Sequence, residues 1–392
     1  MNSSGIIHLG TRYLRRQRGK VVLLVAALSL SIILPFGISI FVKEAESHLR
    51  SRARVTPLML GAQGSPLELV FNGLYFSKPA IATFPIQKSK EVGDLANTIP
   101  IYAKFSADGF RIVGTSIDYF RFRNLKTDSG NFMARLGDCV LGAEVAAELG
   151  LGVGDSIIST PEAMFDLAGV YPLKMRITGV LTRSGNADDR AVFCDVKTAW
   201  VIEGLAHGHD EVDPKDKKSV LSMDAEGNPV LNASVVQFNE ITPDNVGDFH
   251  FHGDAGEFPI TAAIVIPRDQ KSGIILKGRY QESATESVQL ADPAVVTDEL
   301  FSTVFQIRNF VIAALVAVGI ATFGIAILVF LLSNKLRIRE FSNLRNLGAD
   351  LSTIRLLVAF EALAVLVISV IVAIALLTLL GAIAPGIVRS VL

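Results

Sequence analysis

Three long apolar runs dominate the pattern of hydrophobic and polar positions in this chain of 392 residues. They cover residues 21–42, 307–333 and 356–380, and their only charged side chains are Arg308 and Glu361. An α-helix rises about 1.5 Å per residue, so each run reaches or exceeds the roughly 20 residues that cross a hydrocarbon core. The pattern predicts an α-helical membrane protein with three transmembrane helices.

The polar block between the first two runs, residues 43–306, is patterned differently. Residues 110–117 are β-rich and, like 175–181, are predicted to form strands, whereas 142–151 has the helical spacing of apolar residues and ends at Gly152. Further strands are predicted over 155–159, 191–196, 234–238, 260–266 and 274–276, and a helix over 292–305 that runs into the second apolar run. We therefore expect a large mixed α/β domain between the first and second transmembrane helices.

The first apolar run also resembles the hydrophobic part of a signal peptide, because basic residues precede it. It is longer than the usual stretch of about 7–15 residues, and no A-x-A-like cleavage site follows. We expect it to be retained as a membrane anchor. Residues 5–18 could form a basic helix on the membrane surface or remain a solvated tail.

Basic residues cluster beside the apolar runs and predict the orientation of the chain, because cytoplasmic loops are enriched in Lys and Arg. The two main clusters are Arg12, Arg15, Arg16, Arg18 and Lys20, and Lys335, Arg337, Arg339, Arg345 and Arg355. A third group opposes this assignment, namely Lys43, Arg50, Arg52 and Arg54. With three spans, a cytoplasmic loop between the second and third places the N-terminus inside and the polar block outside.

The predicted order of segments follows from these boundaries. It is a cytoplasmic basic segment (1–20), a first span (21–42), a periplasmic α/β domain (43–306), a second span (307–333), a cytoplasmic segment (334–355), a third span (356–380) and an extracytoplasmic tail (381–392). The tail is too short to form a fourth span. The expected location is a bacterial inner membrane.

The segment 334–355 carries more than charge. Phe341, Leu344, Leu347 and Leu351 recur every three or four residues, which predicts an apolar stripe on a short helix. Glu340 can pair with Arg337 one turn earlier, and Gly348 can end the helix. Such a stripe needs cover from lipid or from a protein partner; the alternative is a loop that only sets topology. Glu361, early in the third run, should face protein or the cytoplasmic end of the span.

Histidines and cysteines are the remaining candidates for chemistry. His207 and His209 form one pair and His250 and His252 another, each beside carboxylates, and these four are candidate metal ligands. The alternative, which the residues themselves favour, is a solvated polar loop, and nothing in the sequence shows that the pairs meet. Cys139 and Cys194 both lie in the polar block, where a disulfide or two buried free thiols are possible.

Several motifs resemble one family of membrane proteins. The spacing R-x-x-E-x-x-x-L-R-x-L-G-A from Arg337 is similar to the segment after the second membrane helix in permeases of the MacB/FtsX/LolC type. Residues 137–155 resemble the strand–helix–strand G-x-x-V-L-G-x-x-x-A-x-x-L-G-L-x-V-G-D of their outer domain. Residues 177–181 with 189–193, and residues 61–67, are similar to further segments of the family in the expected order.

The resemblance implies the membrane subunit of an ABC transporter, with mechanotransmission from a separate ATPase to the periplasmic domain. The residues implied to contact the ATPase are Arg337, Glu340, Phe341, Leu344, Arg345, Leu347, Gly348 and Ala349. Expected partners are an ATPase dimer, a second copy or a paralogue of the permease, a periplasmic adaptor or lipoprotein, and the lipid bilayer. The family usually has four spans, and the fourth is not found here.

The sequence offers little support for other classes of protein. It contains no G-x-x-x-x-G-K-[ST], so we expect no directly bound cofactor and ATP only through the partner subunit. No arrangement of nucleophile and base indicates an enzyme, and the net charge of −1 gives no reason to expect nucleic-acid binding. An ATPase-driven regulator that activates a periplasmic partner without transport remains the main alternative.

Overall fold

The computed structural model describes residues 3–77, 82–160, 172–208, 220–223, 229–231, 239–282 and 287–391. Two compact units are present, one comprising Met1–Ser47 with Leu300–Val391 and the other His48–Glu299. In chain order the helices are α1 (Ser3–Arg16), α2 (Arg18–Arg54), α3 (Pro66–Tyr75), α4 (Ile86–Lys90), α5 (Ile117–Arg123), α6 (Ala143–Leu149), α7 (Val196–Ile202), α8 (Gln270–Glu282), α9 (Pro293–Leu336), α10 (Ile338–Asn346) and α11 (Leu351–Val391).

The first unit is helical. Among the described residues, α2, α9 and α11 are long and apolar enough to cross a membrane, as the hydropathy pattern predicts. Each helix extends beyond its predicted span, because the flanking polar residues continue the same helix. Leu24, Leu28, Ala326 and Val365 form a small buried cluster within this unit.

The N-terminal helix α1 packs against α11 rather than remaining a solvated tail. The contact is close at Gly10, where a Cβ atom would lie 2.4 Å from the ring of Phe360. Tyr13 extends the contact, because its hydroxyl lies 3.2 Å from the Ser333 hydroxyl on α9. A larger residue at position 10 would therefore force α1 away from α11.

The second unit is a mixed α/β domain. Its strands are β1 (Leu58–Ala62), β2 (Phe84–Pro85), β3 (Ala96–Tyr102), β4 (Ser106–Ala107), β5 (Phe110–Thr115), β6 (Thr127–Gly130), β7 (Asp138–Leu141), β8 (Ser156–Ile158), β9 (Lys174–Leu181), β10 (Ala191–Asp195), β11 (Ala206–Gly208), β12 (Val220–Met223), β13 (Pro229–Leu231), β14 (Phe249–Phe251), β15 (Pro259–Ile260), β16 (Ala262–Pro267) and β17 (Val288–Ala291).

Within the described ranges, eleven of these strands form one sheet. Its main order is β17-β1-β16-β3-β5-β10-β7-β9-β6, with β4 beside β5 and β8 beside β9. The pairs β5–β10 and β7–β9 are parallel, and the other neighbours are antiparallel. Apolar side chains of the sheet pack with α7, whose Trp200 is buried and donates its indole N–H to the Pro259 carbonyl at 2.8 Å.

Two of the predicted element assignments are wrong. Residues 274–276, predicted as a strand, lie in α8, where Leu276 is buried but Ile274 is 71% exposed. A run of three apolar residues has no periodicity of its own, so it could not distinguish a helix from a strand. Helix α6 ends earlier than predicted, because Gly150 rather than Gly152 adopts the left-handed conformation after it. The predicted strand 234–238 lies outside the described residues.

The two cysteines face each other across adjacent antiparallel strands. Cys139 on β7 is paired in register with Cys194 on β10, and both are fully buried free thiols. Burial raises the pKa of each thiol well above its usual range, because a thiolate would lack solvation there. Of the two states considered from the sequence, the structure has the reduced one.

Candidate functional site

Helix α10 occupies the segment predicted to couple to a partner. It begins after Arg337 and ends at Asn346, and Gly348 follows with φ +90°. Glycine suits this position, because a Cβ atom strongly disfavours positive φ. The turn is closed by the backbone N–H of Ala349, which donates to the Leu344 carbonyl at 3.0 Å.

Arg337 lies inside the helical unit rather than on its surface. Its Nη1 donates to Glu361 Oε2 at 2.8 Å, and its Nε donates to Glu340 Oε2 at 3.1 Å. The guanidinium also lies 3.4 Å from the ring centroid of Tyr13 and 4.9 Å from that of Phe341. Burial alone would lower the pKa of Arg337, but the bond with Glu340 and the charge of Glu361 outweigh it, so the pKa is raised.

Glu361 is the other half of this buried pair. Only 2% of the residue is exposed, so it faces protein, one of the two environments that the sequence allowed. Because Glu361 belongs to α11 and Arg337 precedes α10, the ion pair fixes the start of α10 to the third apolar helix. A charge buried this deeply persists only with such a partner.

The predicted apolar stripe on α10 is divided by the tertiary structure. Phe341 and Leu344 are half-buried, whereas Leu347 is 85% exposed. Ile338 and Leu351, at either end of the segment, are also exposed. The remaining predicted contact residues are on the surface or half-buried: Glu340, Arg345, Gly348 and Ala349. The exposed Leu347 side chain is thus available to a partner or to lipid.

The structure brings three of the four predicted histidines together. Strand β11 pairs with β14 in antiparallel register, which places His207 opposite His250, and His252 follows just beyond β14. Each pair of rings among the three has a centroid separation of 4.8 Å. His209 lies outside the described residues.

A buried ion-pair network in the α/β domain was missed from the sequence. Arg52 donates from Nη1 to Asp188 Oδ2 at 2.7 Å and from Nη2 to Asp188 Oδ1 at 2.8 Å. The Tyr119 hydroxyl donates to Asp188 Oδ1 at 2.6 Å and accepts from Arg52 Nη2 at 2.7 Å. Arg50 pairs with Asp298 at 2.9 Å. The signal was available, since Arg50 and Arg52 belong to the basic group that opposed the predicted orientation.

Residues of the family-like motifs in the α/β domain have structural roles around this network. The backbone at Gly142 lies close to the loop that contains Asp188. A side chain would not fit there, because a Cβ atom at position 142 would lie 2.3 Å from the Asp188 carbonyl oxygen. The adjacent Asp189 is buried and accepts hydrogen bonds from the backbone N–H groups of Ser184 (2.8 Å) and Gly185 (2.6 Å), which stabilises the loop between β9 and β10. These residues position Asp188 toward Arg52.

Comparison with known proteins identifies the family. The family model for the MacB-like periplasmic core domain matches residues 21–223, just over half of the chain. The chain belongs to the MacB/FtsX superfamily. No match was found among curated proteins. As a superfamily member the chain is a membrane protein of the ABC-type transporter permease family, with a MacB-like domain that is extracytoplasmic in its relatives.

Two solved structures illustrate the similarity. The periplasmic region of MacB from Actinobacillus actinomycetemcomitans is 10% identical, with a TM-score of 0.35, over 63% of this chain and 94% of that one. The extracellular domain of the noncanonic ABC-type transporter YknZ from Gram-positive bacteria is 11% identical, with a TM-score of 0.31, over 59% of this chain and 98% of that one.

Proposed function

We propose that this superfamily member is the membrane subunit of an ABC transporter whose separate ATPase dimer docks on α10. The observation that carries the proposal is the exposed Leu347 side chain, which directly follows α10, a helix held to α11 by the Arg337–Glu361 pair. Burying a leucine contributes roughly 1.5–3 kcal/mol, so this surface can support a specific contact. ATP acts through that partner, and the chain itself supplies no catalytic group.

Movement of α10 would reach the other helices through its fixed end. Displacing Arg337 without Glu361 would leave a buried charge unpaired, at a cost of about 3–5 kcal/mol, so α10 and α11 should move together. The spans contain few polar residues, which favours mechanical transmission over a conduit through them. Work would then be done by the α/β domain on an envelope or export substrate.

The helices that enter the α/β domain are suited to receive such movement. Both α2 and α9 are unbroken beyond their apolar parts, and Arg50 on α2 forms a partly exposed ion pair with Asp298 on α9. Arg52 then joins the end of α2 to Asp188 by two hydrogen bonds. Bidentate guanidinium–carboxylate pairs fix orientation as well as distance, so the end of α2 should not rotate freely against the domain.

We further propose that the N-terminus and α10 are cytoplasmic and that the α/β domain is periplasmic, in a bacterial inner membrane. Basic residues that follow the first span argue against this orientation. That argument is weaker because Arg50 and Arg52 are paired with the carboxylates of Asp298 and Asp188. One ATPase dimer requires two membrane subunits, so we expect a second copy or a paralogue in the complex. A periplasmic adaptor or lipoprotein is a further candidate partner.

Leu347→Asp tests the docking surface. The change places a carboxylate in an apolar contact, so we expect binding of the ATPase to weaken at least about tenfold, since ~1.4 kcal/mol corresponds to tenfold. The permease should be purified from its native membranes, and the co-purifying ATPase identified by mass spectrometry and assayed for ATP hydrolysis. Leu344, which is half-buried, is the less suitable target because its replacement would also disturb packing.

Ser342→Asp is the matched control for this experiment. It introduces the same charge at an exposed position within α10, about 140° from the direction that Leu347 would take if the ideal helix continued to it. We expect Ser342→Asp to retain the ATPase and Leu347→Asp to lose it. Equal recovery of the ATPase with both variants would show that α10 does not dock it.

A further inference from the structure

We propose that His207, His250 and His252 form a binding site for a Zn²⁺-type transition-metal ion in the α/β domain. The proposal does not depend on the ATPase or on transport. It rests on the β11–β14 pairing, which brings three imidazoles together. In the sequence, His250 and His252 follow His207 by 43 and 45 residues.

Strand geometry creates the cluster. In an antiparallel pair, residues in register lie directly opposite each other, as His207 and His250 do here. Alternate residues along a strand share a face, so His252 falls on the same side as His250. The potential ligand nitrogens of all three residues lie within 4.8 Å of one another. Zinc–nitrogen bonds of about 2.0–2.1 Å require such nitrogens to converge, which small rotations of the exposed rings can achieve.

The backbone prepares one of these ligands for a metal. His250 Nδ1 lies 3.1 Å from the Asp248 carbonyl oxygen. A carbonyl can only accept, so in the neutral imidazole this contact favours the tautomer with the proton on Nδ1 and the lone pair on Nε2. Metal-bound histidines commonly donate their other ring nitrogen to a carbonyl or carboxylate in this way, which fixes both tautomer and orientation.

The donor set selects the class of ion. Three neutral imidazoles suit Zn²⁺, Cu²⁺, Ni²⁺ or Co²⁺, whereas Mg²⁺ and Ca²⁺ prefer oxygen ligands. His207 is half-buried and the other two are exposed, so an ion can reach the site from solvent. Because β11 and β14 are paired at this point, a bound ion would cross-link the two strands.

Zinc binding to the purified full-length protein tests the proposal. The protein should carry an affinity tag without histidines, and isothermal titration with Zn²⁺ is expected to show one ion per chain. Loss of a direct ligand should weaken binding by more than the roughly 10–100-fold typical of an indirect one, so His207→Ala and His250→Ala should each abolish the stoichiometric phase. His8→Ala is the matched control, because it removes an exposed imidazole from α1 and should leave binding unchanged.

Co²⁺ provides an independent readout of geometry. A four-coordinate Co²⁺ held by three imidazoles absorbs visible light far more strongly than hexahydrated Co²⁺, so the wild type should show this absorption and the two alanine variants should not. Fluorescence of Trp200, the only tryptophan, verifies that each variant retains its folded domain. Weak binding at several sites that His207→Ala and His250→Ala leave unchanged, or a six-coordinate Co²⁺ spectrum in the wild type, would overturn the proposal.

Discussion

Asp188 is the carboxylate at the centre of a buried charge network in the α/β domain. It is fully buried and receives two hydrogen bonds from Arg52 and one from Tyr119. Burial alone would raise the pKa of Asp188, but the charge and hydrogen bonds of Arg52 and the hydrogen bond of Tyr119 outweigh it and hold the pKa below its usual value. The carboxylate is therefore charged at neutral pH and compensates the buried guanidinium.

Asp188→Asn should destabilise the domain strongly. Removing the charge leaves Arg52 buried without compensation, which costs about 3–5 kcal/mol. The free energy of unfolding can be measured in the full-length protein by denaturant titration, with Trp200 emission as the probe of this domain. Asp118→Asn is the control, because Asp118 pairs with Arg121 on the surface and such pairs contribute about 1 kcal/mol or less. Similar losses in both variants would contradict the buried-pair assignment.

The same pair predicts a dependence on pH. Because the pKa of Asp188 is lowered in the folded state, its stabilisation is present above the unfolded value of about 3.9 and is lost as pH falls through the folded value. The difference in unfolding free energy between the wild type and Asp188→Asn should therefore stay constant near neutrality and shrink below about pH 4. A difference that persists unchanged in acid would indicate that charge is not its source.

Among the helices, α10 shows how a surface element can be tied to a buried one. Its apolar spacing is readable from the sequence, but its attachment depends on Arg337, which bonds both Glu361 and Glu340. Glu361 is buried, whereas Glu340 is largely exposed. The two carboxylates should therefore contribute very differently to holding the helix in place.

Glu361→Gln should loosen α10 far more than Glu340→Gln. Breaking the buried pair costs about 3–5 kcal/mol, which corresponds to at least a tenfold rise in the open population of α10. Limited proteolysis in detergent can measure this, because trypsin cleaves after the exposed Arg339 and Arg345 and its rate follows local opening. For Glu340→Gln the loss of an exposed pair, about 1 kcal/mol at most, predicts a rise of about fivefold or less. Equal rates of tryptic cleavage in the two variants would show that the Arg337–Glu361 pair does not hold α10 to α11.

For the whole molecule, the proposed orientation can be tested with the chain's own cysteines left in place. Cys139 and Cys194 are fully buried, and burial raises their thiol pKa, so they should react slowly with an impermeant maleimide. In intact spheroplasts, Ser129→Cys in the α/β domain should react, whereas Ser342→Cys on α10 should react only after the membrane is permeabilised. Both serines are exposed in the structure. Labelling of Ser342→Cys from outside would reverse the orientation and exclude the docking proposal.

Local patterns were sufficient for the long elements. An apolar run of span length permits little other than a helix in a bilayer, so α2, α9 and α11 follow from composition alone. The composition of residues 110–117 and 175–181, rich in residues that favour strands, likewise predicted β5 and β9. The short run at 274–276 failed for the converse reason, since only its neighbours in the fold decide which side chain is buried.

Contacts between distant residues were decided by the tertiary structure. Arg52 and Asp188 are separated by 136 residues, and their pairing depends on the end of α2 meeting the loop before β10. The histidine residue types were visible as candidate ligands, but their meeting depends on the register of β11 against β14. Sequence spacing specifies which residues share a face of one element, whereas the packing of elements determines which faces meet.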